Sequence, residues 1–211
     1  MDVIVAGGHG QIARRLLRLL ADAGHTGRGL IRNPDHAADL EAVGAVPVVC
    51  DLESEDPSPH VRGADAVVFA AGAGPGSGPE RKRTVDLGGA VKLIDAAREH
   101  GVSRYLIVSS MGATDPAGGS ESMRPYLQAK ADADAAVRES GLDWTIVRPG
   151  RLTDDPGTGL VAIAPRLDFG AIPRDDVALV LFEGLSEPNS VHKAFDLVGG
   201  DVRVGEALRA L

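Results

Sequence analysis

Short apolar runs alternate along this chain with longer segments in which apolar residues recur every three to four positions. The first run is Val3, Ile4 and Val5, and the segment after it repeats apolar residues at helical spacing from Ile12 to Leu20. A short continuous run is typical of a buried strand, and the helical spacing predicts an amphipathic helix. Five further strands are predicted before residue 151: residues 27–32, 45–50, 64–74, 103–110 and 143–150.

Helical segments separate these predicted strands. We predict helices over residues 34–44, 78–101 and 123–141, each followed by the next strand. Strand, helix and strand that repeat at this spacing predict right-handed βαβ units and a parallel sheet. The fold class is therefore α/β, a doubly wound Rossmann-type sheet with helices on both faces.

The last part of the chain has a looser pattern. We predict strands over residues 160–165 and 193–199 and helices over residues 174–185 and 204–211. About 60 residues are few for an independent domain. We therefore predict one domain over residues 1–211, in which residues 151–211 cap the carboxyl edge of the sheet on the substrate side.

The turn after the first strand is rich in glycine. Gly7, Gly10 and Ala13 are spaced as in turns that bring a helix N-terminus against a pyrophosphate. The first N–H groups of that helix have no partner within the helix, and they favour an anion above the turn. The alternative is a tight strand-to-helix turn without a ligand, because glycine motifs of this kind also occur by chance.

Arg32 ends the second predicted strand, 19 residues after Ala13. An NAD-specific fold places an acidic residue here for the ribose hydroxyls, and an NADP-specific fold places an arginine for the 2′-phosphate. We therefore predict that NADP(H) is preferred and that NAD(H) remains an alternative. A surface arginine at a strand end is the other interpretation of this residue.

Two loops after later strands fit the adenosine half of such a cofactor. Asp51 could accept a hydrogen bond from the adenine, or it could cap a helix that enters at Glu53. Ala70, Ala71 and Gly72 are small where the fourth strand would pass beneath the adenosine. The glycine-rich residues 72–79 predict either a flexible linker or a mobile loop over the site.

Tyr126 and Lys130 are four residues apart in a predicted helix, so they share one face. A lysine charge beside a phenol favours its ionised form, and such a phenol can donate a proton to a carbonyl oxygen while a hydride moves. Ser109 and Ser110 end the preceding strand, and either hydroxyl could bond the same oxygen. A chance Tyr-x-x-x-Lys and serines that satisfy backbone groups are the alternatives.

The composition of the chain limits the classes of partner that it is expected to bind. The net charge of −8 predicts no nucleic-acid partner and no anionic membrane partner, because both would be repelled. Residues 81–83, the densest basic stretch, are expected to be a solvated helix start. Cys50 is alone and follows an apolar run, which predicts a core residue and a reducing, cytoplasmic compartment. We predict a small-molecule substrate and no metal ion.

Several motifs together carry a family resemblance: GGHGQIA at 7–13, Arg32, CDLE at 50–53, VSS at 108–110, YLQAK at 126–130 and the segment 140–155. The chain resembles the short-chain dehydrogenase/reductase superfamily, specifically its compact atypical branch of NmrA-like and biliverdin-reductase-B-like NAD(P)-binding proteins. The resemblance extends from Asp2 to about Gly199.

The resemblance implies roles for individual residues. Gly7, Gly10, Gln11 and Ile12 would hold the pyrophosphate beside His9, and Arg32 would bind the 2′-phosphate. The remaining cofactor contacts it implies are Asp51 and Leu52 at the adenine, Ala70, Ala71 and Gly72 at the adenosine, and Ser109, Lys130, Pro149, Gly150 and Arg151 at the nicotinamide half.

Three function classes follow. The leading prediction is an NADP(H)-dependent reductase of a small carbonyl-type or quinone-type acceptor, with Tyr126 as proton donor. The second is a non-catalytic NADP(H) sensor that regulates a protein partner, because this branch often keeps the fold without the tyrosine or a known reaction. The third is a sugar-nucleotide epimerase or dehydratase, which the short C-terminal part disfavours.

Overall fold

A computed structural model describes residues 1–74 and 76–211, so Pro75 of the predicted 72–79 loop lies outside the described residues. The strands are β1 (Asp2–Ala6), β2 (Thr26–Ile31), β3 (Val46–Val49), β4 (Ala66–Phe69), β5 (Arg104–Val108), β6 (Asp143–Pro149), β7 (Arg151–Thr153), β8 (Leu160–Ala164), β9 (Ala171–Pro173), β10 (Lys193–Gly199) and β11 (Val202–Arg203). The helices are α1 (Gln11–Asp22), α2 (Ala37–Glu41), α3 (Ser58–Val61), α4 (Pro79–Lys82), α5 (Gly89–Glu99), α6 (Arg124–Glu139), α7 (Arg174–Gly184) and α8 (Val204–Arg209).

The main sheet joins strands from both ends of the chain. Its order within the described residues is β11-β8-β10-β6-β5-β4-β1-β2-β3. The seven strands from β10 to β3 pair in parallel, and β8 and β11 add antiparallel pairs at one edge. Strands β7 and β9 pair with each other in a small parallel sheet. The predicted parallel α/β architecture is confirmed.

Two apolar layers cover the two faces of the main sheet. On one face, Leu16 and Leu17 of α1 pack in a cluster with Leu181 of α7. On the other face, Leu93 of α5 and Val137 of α6 belong to a second buried cluster. Helices on both faces explain why β1, β4 and β5 are continuous apolar runs, since neither of their faces contacts water.

Most element bounds follow the sequence pattern, and the differences are local. The predicted helix 34–44 is a 3₁₀ turn followed by the short α2. The predicted helix 78–101 consists of α4, a π-helical segment Arg83–Gly88 and α5. The sequence pattern did not predict β7, β9, β11 or α3, which have only two to four residues each. Elements this short are below the length at which a periodicity can be recognised.

Residues 151–211 contribute much more to the sheet than a cap would. Strands β8, β10 and β11 extend the main sheet, and α7 packs against α1, where Arg15 Nε donates a hydrogen bond to Asp175 Oδ1. The segments around β7 and β9 follow the carboxyl end of β6, and a cap formed by them stays a prediction. No helix in the described part of the chain combines the length and the apolar content needed to cross a bilayer.

Candidate functional site

A cleft of about 400 Å³ opens at the carboxyl ends of β1, β2, β3 and β4. The chain runs from β1 outward to β3 on one side and from β4 outward to β6 on the other, so the order reverses between β1 and β4. Ligands of doubly wound sheets bind at this point. The cleft is lined by Gly7, His9, Gly10, Leu30, Ile31, Arg32, Asn33, His36, Cys50, Asp51, Leu52, Glu53, Ala70, Ala71, Gly72, Ala73, Arg81 and Val85.

The glycine turn forms the floor of the cleft. Gly7 has a φ of +74°, and a Cβ atom there would lie 2.6 Å from the Cα of Ala71. Both the backbone conformation and the close approach to β4 therefore require glycine. The Gly10 N–H donates to the Gly7 carbonyl at 2.7 Å, which closes the turn directly before α1.

Helix α1 presents an uncapped N-terminus to the cleft. No side chain caps it, and its first turn, which begins with Gln11 and Ile12, contains no acidic residue. The free N–H groups and the positive end of the helix dipole favour an anion there. The predicted pyrophosphate contacts at Gly7, Gly10, Gln11 and Ile12 thus meet at one turn, although Gln11 and Ile12 do not line the cleft itself.

Two histidines lie beside this turn. The rings of His9 and His36 stack with centroids 3.6 Å apart and an interplanar angle of 12°. His9 Nε2 is 2.8 Å from Asp39 Oδ2, and this hydrogen bond lowers the pKa of the Asp39 carboxyl. His9 therefore has a fixed position next to the phosphate turn, where it was predicted to flank the pyrophosphate.

Arg32 follows β2 and reaches the wall of the cleft. Its Nη1 lies 3.6 Å from Glu53 Oε2, and Arg81 Nε lies 3.1 Å from the same oxygen. The Arg32 side chain is 56% exposed, so its guanidinium is open to a ligand. The expectation that residues 81–83 only start a solvated helix is wrong for Arg81, which lines the cleft together with Arg32.

The side of the cleft that is predicted to hold the adenosine consists of small residues and turns. Ala70, Ala71 and Gly72 follow β4, and Asp51 and Leu52 follow β3. Asp51 Oδ1 accepts a hydrogen bond from the Glu53 N–H at 3.0 Å within a turn. The alternative that Asp51 caps a helix entering at Glu53 is wrong, because the next helix, α3, begins at Ser58.

Cys50 lies at the base of the same cleft. It is buried with a free thiol, as expected for a core residue. Burial raises the pKa of this thiol to about 11, with a smaller contribution from the nearby carboxylates. A thiol with a raised pKa is mostly protonated near neutral pH, so Cys50 contributes a neutral side chain to the cleft.

The residues predicted at the nicotinamide half lie further along the sheet and do not line this cleft, whose lining includes the residues predicted for the adenosine half. Ser109 and Ser110 follow β5, and the buried Ser109 hydroxyl lies beside the Asp134 carboxyl. Pro149 ends β6, and a Cβ atom on Gly150 would overlap the carbonyl oxygen of Gly170 at 2.2 Å. The Arg151 N–H donates to the same oxygen at 2.8 Å, which holds the 166–170 loop against the end of β6.

Lys130 is bound inside the protein. Its Nζ lies 3.1 Å from Asp86 Oδ1, and it donates to the Val108 carbonyl at 3.0 Å and to the Ala71 carbonyl at 3.5 Å. The Lys130 side chain is 5% exposed and Asp86 is fully buried. Tyr126 is half-buried one turn away, with its ring centroid 5.9 Å from Lys130 Nζ. The Lys130 ammonium therefore already forms an ion pair with Asp86, and its contact with a nicotinamide ribose stays a prediction.

A second buried ion pair connects α6 to β6. Arg148 Nε donates to Asp134 Oδ2 at 2.9 Å, and both side chains are buried. Burial raises the pKa of the Asp134 carboxyl, and the Ser109 hydroxyl and the Arg148 guanidinium partly offset this effect. Together with Lys130 and Asp86, this pair places charged groups between α6 and the sheet, where apolar packing alone would be expected.

Sequence reasoning missed four polar residues of the site. Glu53 and Arg81 are 28 positions apart, and their contact depends on the loop after β4 returning towards β3. Asn33 is the next residue after Arg32, His36 lies four positions after Arg32, and both line the cleft. Their closeness to Arg32 in the sequence could have indicated them. The signal for Arg81 is weak, because a basic residue at a helix start usually faces solvent.

Comparisons with known proteins agree with this geometry. A family described as NAD(P)H-binding matches residues 7–188. The chain belongs to this family. Its fold is that of the atypical short-chain dehydrogenase/reductase class, so the predicted resemblance is confirmed.

The similar proteins have several kinds of name. One relative, an uncharacterised sugar epimerase YhfK of Bacillus subtilis, is 41% identical over all of both chains. A solved structure of a putative NAD-dependent epimerase/dehydratase from Bacillus halodurans is 38% identical over all of both chains, with a TM-score of 0.95. The oxidoreductase ylbE from Lactococcus lactis is 26% identical with a TM-score of 0.88, over 100% of this chain and 96% of that one. A more distant relative, the NAD(P)H azoreductase of Xenophilus azovorans, is 25% identical over 99% of this chain and 71% of its own length.

Proposed function

We propose that this protein is an NADP(H)-dependent reductase of a small carbonyl-type or quinone-type acceptor. The observation that carries the proposal is the cleft that the uncapped start of α1, the exposed Arg32 and the partly exposed Arg81 share. A dinucleotide with an additional 2′-phosphate presents anions at both places. The class of NAD(P)-binding Rossmann oxidoreductases to which the chain belongs supports this proposal.

The arginines favour the 2′-phosphate over a ribose hydroxyl. A hydrogen bond between charged groups contributes about 1.5–3 kcal/mol, and a guanidinium fork fits a phosphate better than a point charge does. With such a contribution, NADPH should bind at least about tenfold more tightly than NADH. NADH would still bind through the glycine turn and the adenosine wall.

The reduction needs a hydride and a proton, and the acceptor becomes the corresponding alcohol or hydroquinone. The bound cofactor supplies the hydride. Tyr126, half-buried near the carboxyl end of the sheet, is the proposed proton donor to the acceptor oxygen. Ser109 follows β5 with a buried hydroxyl beside the Asp134 carboxyl, and it is proposed to line the nicotinamide side.

The proposed partner is a small molecule. Two features support it: the net charge of −8, which disfavours nucleic acid and anionic membranes, and a cleft at the sheet switch point whose lining suits the adenosine half of a dinucleotide. A single free thiol agrees with work in a reducing compartment such as the cytoplasm.

A sensor that binds NADP(H) without turnover is the second candidate, and one specific observation favours it. Lys130, which would support a catalytic tyrosine, is bound to Asp86, Val108 and Ala71. An epimerase is a third candidate, named by two similar proteins. It would move the hydride out and back without net NADPH oxidation.

Cofactor titration followed by turnover assays distinguishes these candidates. We expect NADPH to bind about tenfold or more tightly than NADH by calorimetry. Arg32→Ala should remove most of this preference and leave NADH affinity nearly unchanged. The matched control is Arg62→Ala, an exposed arginine outside the cleft. Equal affinities of the wild type for the two cofactors would contradict the proposed preference.

The turnover assays test whether the protein has reductase activity. We expect NADPH oxidation with at least one member of a panel of quinones, aldehydes, diketones and flavins, and we expect Tyr126→Phe to abolish most of it. Binding without oxidation by any acceptor would favour the sensor. Interconversion of a nucleotide sugar without net oxidation would favour the epimerase.

A further inference from the structure

Glu53 occupies an unusual position among the cations of the adenosine cleft. Its Oε2 contacts both Arg81 Nε at 3.1 Å and Arg32 Nη1 at 3.6 Å. Its Oε1 accepts a hydrogen bond from Thr84 Oγ1 at 2.8 Å. One carboxylate thus binds the two guanidinium groups that are proposed to receive the 2′-phosphate.

The backbone of Glu53 is held firmly. Lys92 Nζ donates to the Leu52 carbonyl at 2.7 Å and to the Glu53 carbonyl at 3.3 Å. The Glu53 N–H donates to Asp51 Oδ1 at 3.0 Å. The carboxylate therefore stays near the arginines whether or not a ligand is bound, because the turn that carries it is anchored to α5.

The contacts of this carboxylate with the arginines are weak enough to exchange. The side chains of Arg32, Arg81 and Glu53 are 56%, 39% and 28% exposed. Ion pairs between side chains this open to solvent contribute little free energy. A phosphate dianion that makes two or more charge-assisted hydrogen bonds would take the arginines from Glu53.

Displacement leaves a negative carboxylate beside a negative phosphate. Two unit charges of the same sign about 4 Å apart repel each other even in water, and more strongly near a protein surface. This repulsion applies to NADPH, which has the 2′-phosphate, and not to NADH. Glu53 thus opposes the preference that Arg32 and Arg81 create.

We propose that Glu53 is a specificity-determining residue that limits the preference for NADP(H). The inference rests on the proposed function, because it requires a dinucleotide in this cleft. In the empty protein Glu53 neutralises and orients the two arginines. In the complex it is an anion within range of the 2′-phosphate, so it lowers the affinity for 2′-phosphorylated ligands and leaves the others nearly unchanged.

The test compares Glu53→Gln with a matched control. Glutamine keeps the shape and the hydrogen bond from Thr84 but removes the charge. Glu80→Gln removes the same charge from the residue before Arg81, and Glu80 is exposed on α4 and does not line the cleft. Dissociation constants are measured at low salt for NADPH, NADH and the fragment pair 2′-AMP and 5′-AMP, with thermal unfolding as a folding control.

The expected result is selective. Glu53→Gln should raise the affinities for NADPH and 2′-AMP about three- to tenfold, the range given by a like-charge repulsion at this distance. Its affinities for NADH and 5′-AMP should stay within about twofold, and Glu80→Gln should change all four by less than about twofold. In an Arg81→Met background the gain in NADPH affinity from Glu53→Gln should be smaller. Glu53 and the phosphate then compete for Arg32 alone, and no longer for two guanidinium groups.

Three results would overturn the inference. An unchanged NADPH-to-NADH ratio would show that Glu53 exerts no discrimination. Weaker NADPH binding would make it a support of the arginines, and weaker NADH binding would make it an acceptor for the ribose hydroxyls. Each of these outcomes is read in a protein whose wild type binds NADPH. If the wild type binds neither NADPH nor NADH, the proposed function itself fails, and the inference about Glu53 fails with it.

Discussion

The buried pair of Lys130 and Asp86 allows a quantitative prediction of stability. Asp86 is fully buried, the Lys130 side chain is 5% exposed, and the two charges are 3.1 Å apart. Removal of one partner from a buried pair costs about 3–5 kcal/mol, because the other charge stays buried without its counter-ion. Lys130→Met and Asp86→Asn should each lower the free energy of unfolding by an amount in this range.

The double variant gives the sharper expectation. Lys130→Met with Asp86→Asn leaves no unpaired charge, so its cost should be at least about 2 kcal/mol below the sum of the two single costs. A change of 1 kcal/mol shifts the Tm of a chain of this size by about 2–4 °C, so each single variant should lose roughly 6–20 °C. Urea unfolding followed by circular dichroism measures the free energies directly.

An exposed pair serves as the control. Arg174 Nη1 lies 3.0 Å from Asp154 Oδ1, and the Asp154 side chain is 64% exposed. Asp154→Asn should cost less than about 1 kcal/mol. If Lys130→Met costs no more than this control, or if the costs of Lys130→Met and Asp86→Asn simply add, the pair does not stabilise the fold in the way that its burial implies.

Three further predictions concern the glycine turn, the proton donor and the thiol. Gly10→Val should abolish binding of both cofactors in calorimetry while the chain stays folded, and a Gly10→Val protein with wild-type NADPH affinity would contradict the site. Gly7→Ala should lower the free energy of unfolding by about 2 kcal/mol or more, because φ of Gly7 is positive and Ala71 is too close for a Cβ atom. Tyr126→Phe should lower turnover about 100-fold to 10,000-fold at unchanged NADPH affinity, and full activity of this variant would leave Tyr126 as a packing residue. Burial raises the pKa of Cys50 to about 11, so this thiol should not react with a disulfide reagent in the native protein at about pH 8 but should react fully in denaturant. Rapid labelling of the native protein would refute its burial.

The sequence predicted those parts of the molecule that depend on neighbouring residues. The apolar runs that became β1, β4 and β5 are buried on both faces, so their pattern is independent of distant contacts. The need for glycine at Gly7 likewise follows from the local turn, and the structure adds only the close approach of Ala71. These predictions succeeded because local backbone geometry decides them.

Other parts depend on contacts between distant positions. The spacing of Tyr126 and Lys130 correctly predicted a shared helix face, yet it could not show that Lys130 would pair with Asp86, 44 positions earlier. Arg81 looked like a solvated residue because its partner Glu53 lies in another loop. A charged residue within a helical pattern does not reveal whether its counter-ion is water, a ligand or a buried carboxylate.

The packing of α7 against α1 has a consequence for synthesis of the chain on the ribosome. Helix α1 carries the phosphate turn at its start, but Leu16 and Leu17 on its buried face share a cluster with Val177 and Leu181 of α7. A nascent chain that has emerged only to residue 170 contains every residue predicted to touch the cofactor, and yet this face of α1 lacks its α7 cover. The dinucleotide site should therefore mature late in translation, and C-terminal truncations that remove α7 should lose cofactor binding without removing a single cofactor contact.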